Sequence, residues 1–305
     1  MRAVVLGAAA GGGFPQWNSF APACRRAREG DPAAQKGSQA SVAVSADGRH
    51  WFLLNASPDL RQQIEATPVL WPREGLRSTP IAGVVLTGGD VDAIAGLLTL
   101  RERQALTVYA TAPVLRVLDQ NSVFDVLARD LVRREKLELD VATPLLLPDG
   151  EASGLVCTAF AVPGKVPLYL EAGQAPTIEA DDRTVGLALE AGGRKMFYIP
   201  GCAAMTPALA DRLRGAKTVF FDGTLWTDDE MLQAGLGQKT GRRMGHMSVS
   251  GRHGTVATFE HLGVARKILI HINNSNPVLL DDSPERAEIL AHGWEVAYDG
   301  MEVSL

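Results

Sequence analysis

The chain has 305 residues, 46% hydrophobic and 21% charged, with a formal net charge of -5. That length supports a sizeable core, the composition excludes a largely disordered chain, and the acidic balance argues against a general nucleic-acid surface. No apolar run reaches membrane-spanning length, the start lacks a signal-peptide charge pattern, and Cys24, Cys157 and Cys202 are too scattered for a disulfide framework, so a cytoplasmic protein without membrane insertion is expected.

Residues 2–6 read as a first strand, opening into a glycine-rich turn from Gly7 to Gly13 and then Phe14-Pro15-Gln16-Trp17-Asn18. A P-loop needs Gly-Lys-Ser/Thr after the second glycine, and a dinucleotide fingerprint needs its glycines to open a helix. Neither follows, so the turn reads as one that lets the backbone pass close to a neighbour or a ligand. Residues 25–39 are polar and read as loop. Residues 41–45 and 51–54 flank Asp47-Gly48 as a hairpin, and Ser57 or Asp59 stands near the start of a short helix.

Residues 81–86 form an apolar, β-branched run that reads as a buried strand, stopped by Gly88-Gly89 and followed by Asp90 and Asp92. Helical spacing over residues 94–106 puts both acids on a strand-to-helix turn, where α/β sheets collect ligands. Two carboxylates there suit a hard metal or shared acid–base work, or simply the helix cap that Asp favours. Residues 107–110 read as a strand, 113–131 as an amphipathic helix, and 145–147 and 156–162 as strands. The acidic stretch 171–183, with its Gly and Pro, reads as a mobile excursion. Strands at 185–190, 195–199, 218–221 and 267–272 follow, with helices at 207–213 and 283–291. This pattern predicts an α/β chain of two sheets packed face to face, with helices outside.

Chemistry-bearing residues recur immediately after apolar strands. Asp90 and Asp92 follow the first such strand, Cys202 follows 197–199, Asp222 follows 219–221, and His271-Ile-Asn273-Asn274 ends 267–270. His246 comes just after a glycine-containing stretch. Were these ends to share one edge, Asp90, Asp92, Asp222, His246 and His271 would converge on a site suited to Fe, Mn or Zn rather than Ca. Plainer readings stand beside this one: a lone His on the surface, a turn at Asp222-Gly223, a cap at Asn273-Asn274. His50, His253, His261 and His292 read as surface residues and Cys202 as a small buried one. A Ser/His/Asp triad lacks its Gly-x-Ser-x-Gly elbow.

Eight motifs occur in order: Leu6-Gly-x-Ala-Ala-Gly-Gly-Gly13-x-Pro15-Gln-Trp-Asn18, Leu54-Asn-Ala-Ser-Pro-Asp59, Asp90-Val-Asp92 with Gly96-Leu-Leu-x-Leu-Arg-Glu102, Val162-Pro-Gly-Lys-Val-Pro167, Tyr198-Ile-Pro-Gly-Cys202, Phe221-Asp-Gly-Thr224, Met244-Gly-His246, and His271-Ile-Asn-Asn-x-Asn-Pro277. Together, over essentially the whole chain, they resemble the pyrroloquinoline quinone (PQQ) biosynthesis protein B family, a branch of the metallo-β-lactamase fold. The resemblance implies one four-layer αββα sandwich domain over residues 1–305. It further implies an iron-dependent hydroxylase acting on the tyrosine-derived ring of a Glu-Tyr precursor, with Fe(II) the expected metal and Mn or Zn the alternatives.

In that reading the metal shell is Asp90, Asp92, Asp222, His246 and His271, with Asp92, His246 and His271 catalytic. Lys165, Lys239, Arg242, Arg243, Asn273 and Asn274 would meet the substrate, since Arg pairs bidentately with carboxylates. A solvated basic loop is the plain alternative for those cations. The non-enzyme alternative is a carrier of PQQ or its precursor toward the periplasm. Expected partners are PQQ or that precursor, other proteins of the pathway and a second copy of the chain.

Two departures from the family pattern stand out. The superfamily's first metal motif, Leu-Thr-His-x-His-x-Asp-His, puts its ligand positions on Gly88, Asp90, Asp92 and Ala93, of which only Asp92 keeps its usual type, and the departure from the family itself is Ala93, where relatives usually carry His. A Cys-x-Cys-x-x-Cys zinc site in relatives falls on Ser19, Ala21 and Cys24, which leaves one thiolate and no expected zinc there.

Overall fold

The computed structural model describes residues 1–171 and 178–305. Its strands, in chain order, are β1 (Arg2–Gly7), β2 (Ser41–Ser45), β3 (Trp51–Leu54), β4 (Ile81–Val85), β5 (Leu106–Ala110), β6 (Val132–Lys136), β7 (Ala142–Leu146), β8 (Ala152–Gly164), β9 (Glu179–Ala191), β10 (Arg194–Ile199), β11 (Thr218–Asp222), β12 (Arg266–Ile270), β13 (Trp294–Val296) and β14 (Glu302–Ser304). They form two seven-stranded sheets, ordered β14-β1-β2-β3-β4-β5-β6 and β13-β12-β11-β10-β9-β8-β7. The helices are α1 (Pro22–Glu29), α2 (Leu60–Ala66), α3 (Val91–Ile94), α4 (Ala112–Gln120), α5 (Pro207–Leu213), α6 (Glu230–Gln233), α7 (Gly241–Met244), α8 (Thr255–Phe259) and α9 (Pro284–Ala291).

The central strands read as apolar runs because both faces of each sheet are covered there. Along β3 the two-residue period divides the side chains between two cores. Phe52 and Leu54 join the cluster between the sheets, with Leu187, Tyr198, Phe220 and Ile268 from the opposite sheet. Trp51 and Leu53 join the cluster under the helices, with Leu60, Val114 and Leu118. On the outer face of the second sheet, Phe197, Val219 and Phe221 meet Leu209, Phe259 and Ile289. Each such side chain contributes about 1.5–3 kcal/mol by leaving water. The result is the αββα layering the sequence predicts.

In each sheet an antiparallel half adjoins a parallel half. Strands β3 to β6 run parallel in one, and β10 to β13 in the other. Parallel strands bring their carboxyl ends to one edge, so the loops after β4, β10, β11 and β12 can meet. Backbone hydrogen bonds join the two sheets there: Ala10 N–H donates to Ile272 O at 2.8 Å, Ile272 N–H to Ala8 O at 3.0 Å, and Val185 N–H to Thr87 O at 2.9 Å.

Several local expectations need correction. The polar stretch 25–39 is not all loop, because α1 runs to Glu29 with Pro22 at its first turn and Gly30 in the left-handed cap. The helix expected over 94–106 does not form: the single turn α3 ends at Ile94, and 3-10 turns cover Ala95–Leu100. Gly96 explains the departure: a β-carbon there would fall 2.1 Å from the Ser57 carbonyl oxygen, so this turn is pressed against the backbone after β3. The helix expected over 113–131 stops at Gln120, and β6 follows as an edge strand whose charged residues hid it. Of the expected excursion 171–183, residues 179–183 belong to β9, paired with β8; residues 172–177 lie outside the described residues. Strands β13 and β14 are three residues each and carried no sequence signal.

Candidate metal centre

The candidate ligands come from four places in the fold: the start of α3, the end of β11, and the turns after α7 and β12. Asp222 is the last residue of β11, a strand with both neighbours parallel, and its carboxylate is fully buried. Four donors fix it. Cys202 N–H and Thr224 N–H donate to Oδ2 and Oδ1 at 2.8 and 3.0 Å, Thr224 Oγ1 lies 2.6 Å from Oδ1, and His246 Nδ1 lies 2.7 Å from Oδ2. His246 follows α7 through Gly245, whose φ of 91° ends the helix in the left-handed region. His271 follows β12 with a φ of 59°, a strained setting for a residue bearing a β-carbon and one that turns its ring off the strand axis. The two imidazoles stack with centroids 5.1 Å apart and planes 18° apart.

Ligand atoms of Asp222, His246 and His271 all lie within 4.8 Å of one another. Asp92, in the first turn of α3, crosses from the other sheet to place Oδ2 2.9 Å from His271 Nε2. Gly11 of the first turn passes close beneath this contact: a β-carbon there would sit 3.3 Å from that same Asp92 oxygen, so the carboxylate would have to shift by a few tenths of an ångström. The glycine-rich turn therefore serves the close backbone approach expected of it.

Asp90 occupies the N-cap position of α3, yet its side chain makes no capping hydrogen bond, so the capping reading does not describe it. Burial, with the charge of Asp92 next, pushes the Asp90 carboxyl above its usual range. For Asp92 and His271 burial opposes the charged forms, and their mutual hydrogen bond outweighs it. The carboxyl is lowered and the imidazole raised.

The donor chemistry fits a metal. His271 Nδ1 lies 2.9 Å from Thr224 Oγ1, whose own proton is directed to Asp222. With His271 Nδ1 as the donor to Thr224, Nε2 and the Asp92 carboxylate face each other at 2.9 Å, a gap that a proton on Nε2 closes as a hydrogen bond and that a metal ion would close by taking both as ligands. One carboxylate with two imidazoles and a second carboxylate alongside suits Fe, Mn or Zn. Asp92, Asp222, His246 and His271 could hold such an ion, with Asp90 beside them.

Thr224 is the residue that sequence reasoning undervalued. Its hydroxyl lies 3.0 Å from His246 Nδ1 and 2.9 Å from His271 Nδ1, and so touches both imidazoles and the Asp222 carboxylate. The available signal was a hydroxyl two residues after a strand-end carboxylate, in Phe221-Asp-Gly-Thr224.

The proposed substrate contacts separate into three groups. Lys165 and Arg243 come together, both within ion-pair distance of Glu171. Arg242 is exposed and Lys239 half-buried, on the segment leading to His246. Asn273 and Asn274 are buried and spend their amides internally: Asn273 Nδ2 donates to Ser275 Oγ, and Asn274 Nδ2 to Gln16 Oε1, both at 2.5 Å. Ser275 in turn lies 2.6 Å from Glu230 Oε1, which ties the loop after His271 to α6. Those two asparagines act as loop anchors in this arrangement. Cys202 is buried as expected, and burial pushes its thiol up to about 12. Cys24 is also buried, its thiol 3.5 Å from Asn274 Oδ1. Of the other histidines, His253, His261 and His292 are exposed and His50 is half-buried against Asp47.

Comparison with known proteins agrees with the geometry. Residues 50–272 match the beta-lactamase superfamily domain. The chain is 65% identical over 302 residues to a coenzyme PQQ synthesis protein B of Gluconacetobacter diazotrophicus, covering 99% of this chain and 98% of that one. It is 55% identical over 306 residues to the protein of the same description from Xanthomonas campestris pv. campestris, covering all of both. The crystal structure of Zn(2+)-bound PqqB from Methylobacterium extorquens superposes with a TM-score of 0.96 at 49% identity, covering all of both chains.

Proposed function

This chain belongs to the coenzyme PQQ synthesis protein B family within the beta-lactamase superfamily, and on that premise we propose that it is a metal-dependent hydroxylase of the tyrosine-derived ring of a Glu-Tyr precursor of PQQ. The observation that carries this reading is the ligand set itself: Asp222, His246 and His271 within 4.8 Å of one another, with Asp92 at 2.9 Å from His271. Two imidazoles and a carboxylate with room for further ligands is the donor pattern of non-haem iron oxygenases. A relative from Methylobacterium extorquens crystallised with zinc bound, which supports a metal in this family without locating it.

When bound, iron(II) would supply the redox chemistry that carboxylate and imidazole lack. The chain's own residues do the rest. Thr224 and Asp222 hold both rings in one tautomer and plane, and Asp92 brings a second negative charge from the opposite sheet. Arg242 and Lys239 stand where they can draw in a substrate rich in carboxylates. With dioxygen as oxidant the balance closes on the ring: one oxygen atom enters it, the other leaves as water, and the four electrons come from oxidation of the phenol to the ortho-quinone. Residues 1–305 act as one domain in this reading, in the cytoplasm; no helix among the described residues is long and apolar enough to cross a membrane.

Ala93 favours a second reading. It stands where the superfamily motif has an imidazole, and a shell poorer by one ligand suits a carrier that holds PQQ or its precursor without chemistry. One experiment separates the two. The purified protein is loaded with iron(II) and given the Glu-Tyr precursor, and both oxygen uptake and product mass are followed. Oxygen uptake with a mass change supports the hydroxylase. Tight PQQ binding with neither supports the carrier.

A further inference from the structure

Lys165 follows β8, and Arg243 lies in α7 three residues before His246. Their charged ends meet at Glu171. Lys165 Nζ is 3.1 Å from Glu171 Oε1, and Arg243 Nη2 donates to Oε2 at 3.0 Å. The Glu171 side chain is only 6% exposed and Lys165 12%. The stem of Lys165 runs over the turn that leads to His246, where a β-carbon on Gly245 would lie 3.1 Å from Lys165 Cγ. Its charge also reaches Asp90, beside the metal ligands. Tyr169 holds the intervening segment in place, its hydroxyl donating to Gly89 O at 2.5 Å.

A purely structural ion pair would satisfy its own donors and acceptors. Arg266 and Glu295 do so, with two parallel bonds of 2.6 and 2.8 Å. The Glu171 arrangement does not. Arg243 uses one arm of its fork, and among the described residues its Nη1 and Glu171 Oε1 are buried with no well-aligned hydrogen-bond partner, Oε1 facing Lys165 Nζ at 3.1 Å. Buried orphans of this kind are costly in a fixed contact. Two cations also face a single carboxylate.

We propose that Lys165 and Arg243 form a carboxylate seat at the edge of the metal centre, and that Glu171 fills it as an internal stand-in that a substrate carboxylate displaces. The substrate side of this assignment rests on the proposed function above, in which the precursor carries a glutamate-derived carboxylate. A planar carboxylate arriving free of the chain can use both arms of the Arg243 fork, which Glu171 does not. Glu171 competes from within at an effective concentration in the millimolar range, so removing its charge exposes the seat's full affinity.

The test uses the full chain, metal-free, with glutarate as the probe and calorimetry at low salt. Glu171→Gln keeps the shape and removes the charge. It should bind glutarate about tenfold or more tightly than the unmodified chain, and adding Arg243→Gln should abolish that gain. Glu171→Ala provides the same comparison should the Gln variant fold poorly. Equal glutarate affinity with and without the Glu171 charge, or a gain that survives Arg243→Gln, would overturn the proposal. Because neither turnover nor metal is involved, failure here leaves the oxygen-uptake experiment standing, and failure of that experiment leaves the seat standing.

Discussion

His271 and Asp92 meet at 2.9 Å across the junction of the two sheets, one at the end of β12 and the other in the first turn of α3. Their side chains are 15% and 22% exposed, so water screens the contact only partly. Asp92→Asn keeps the volume and removes the charge that the ion would face. Zinc affinity should fall by about ten- to a hundredfold on the scale of lost metal-site partners. Competition with a chromophoric chelator measures it, and unchanged affinity would remove Asp92 from the shell.

Ala93 is buried, and its backbone spans two anchors: its N–H donates to Asp90 O at 2.9 Å, and its carbonyl accepts from Ala56 N–H at 2.8 Å. Ala93→His should raise zinc affinity by about tenfold, the scale on which single metal-site partners act. Ala93→Leu adds bulk without a lone pair and should not. Equal affinities for the two variants would mean that this side chain serves the helix-side core alone.

Thr224→Val removes a hydroxyl shared by both imidazoles and Asp222 while keeping its shape. The rings should lose their fixed orientation, with metal affinity down by about tenfold or more and little change in fold. Proton NMR of the imidazoles, alongside chelator competition, reads both effects. Thr224→Ser should restore most of the loss.

Gly96→Ala should be severely destabilising. The added carbon would lie 2.1 Å from Ser57 O and 2.7 Å from Ala56 O, and backbone on both sides cannot yield cheaply. A loss of about 3 kcal/mol, at the upper end of overpacking costs, is expected in denaturant unfolding. Gly150→Ala is the control, in a turn where nothing lies within 4 Å but where its φ of 93° adds only local backbone strain.

Asp47 closes the β2–β3 hairpin. Burial opposes its charge, but the N–H groups of His50 and Arg49 and the His50 ring outweigh it and hold the carboxyl well below its usual range. Because the folded value lies below the unfolded one, the stabilisation is complete above pH of about 4 and is lost as pH falls through the folded value. Asp47→Ala should cost about 1 kcal/mol at pH 7. The difference in Tm between the variant and the parent chain should narrow as the pH is lowered toward 3.

The sequence by itself determined the layering, because β3, β4, β10 and β11 are apolar on both faces and such strands must lie between covering layers. It also marked the candidate ligands, since Asp92, Asp222, His246 and His271 each stand at or next to the end of a strand or helix. Only the tertiary structure decided that Asp92, 179 residues from His271, lies within hydrogen-bond reach of it. No local pattern encodes how two sheets align edge to edge; that follows from the whole inter-sheet core and the Ala10–Ile272 backbone bonds. The same holds for the contacts of Thr224 with His246 and His271 and of Glu171 with Arg243, which are remote in sequence. A hydroxyl or a carboxylate acquires its role from the groups that packing brings within about 3 Å, and packing is a property of the entire chain.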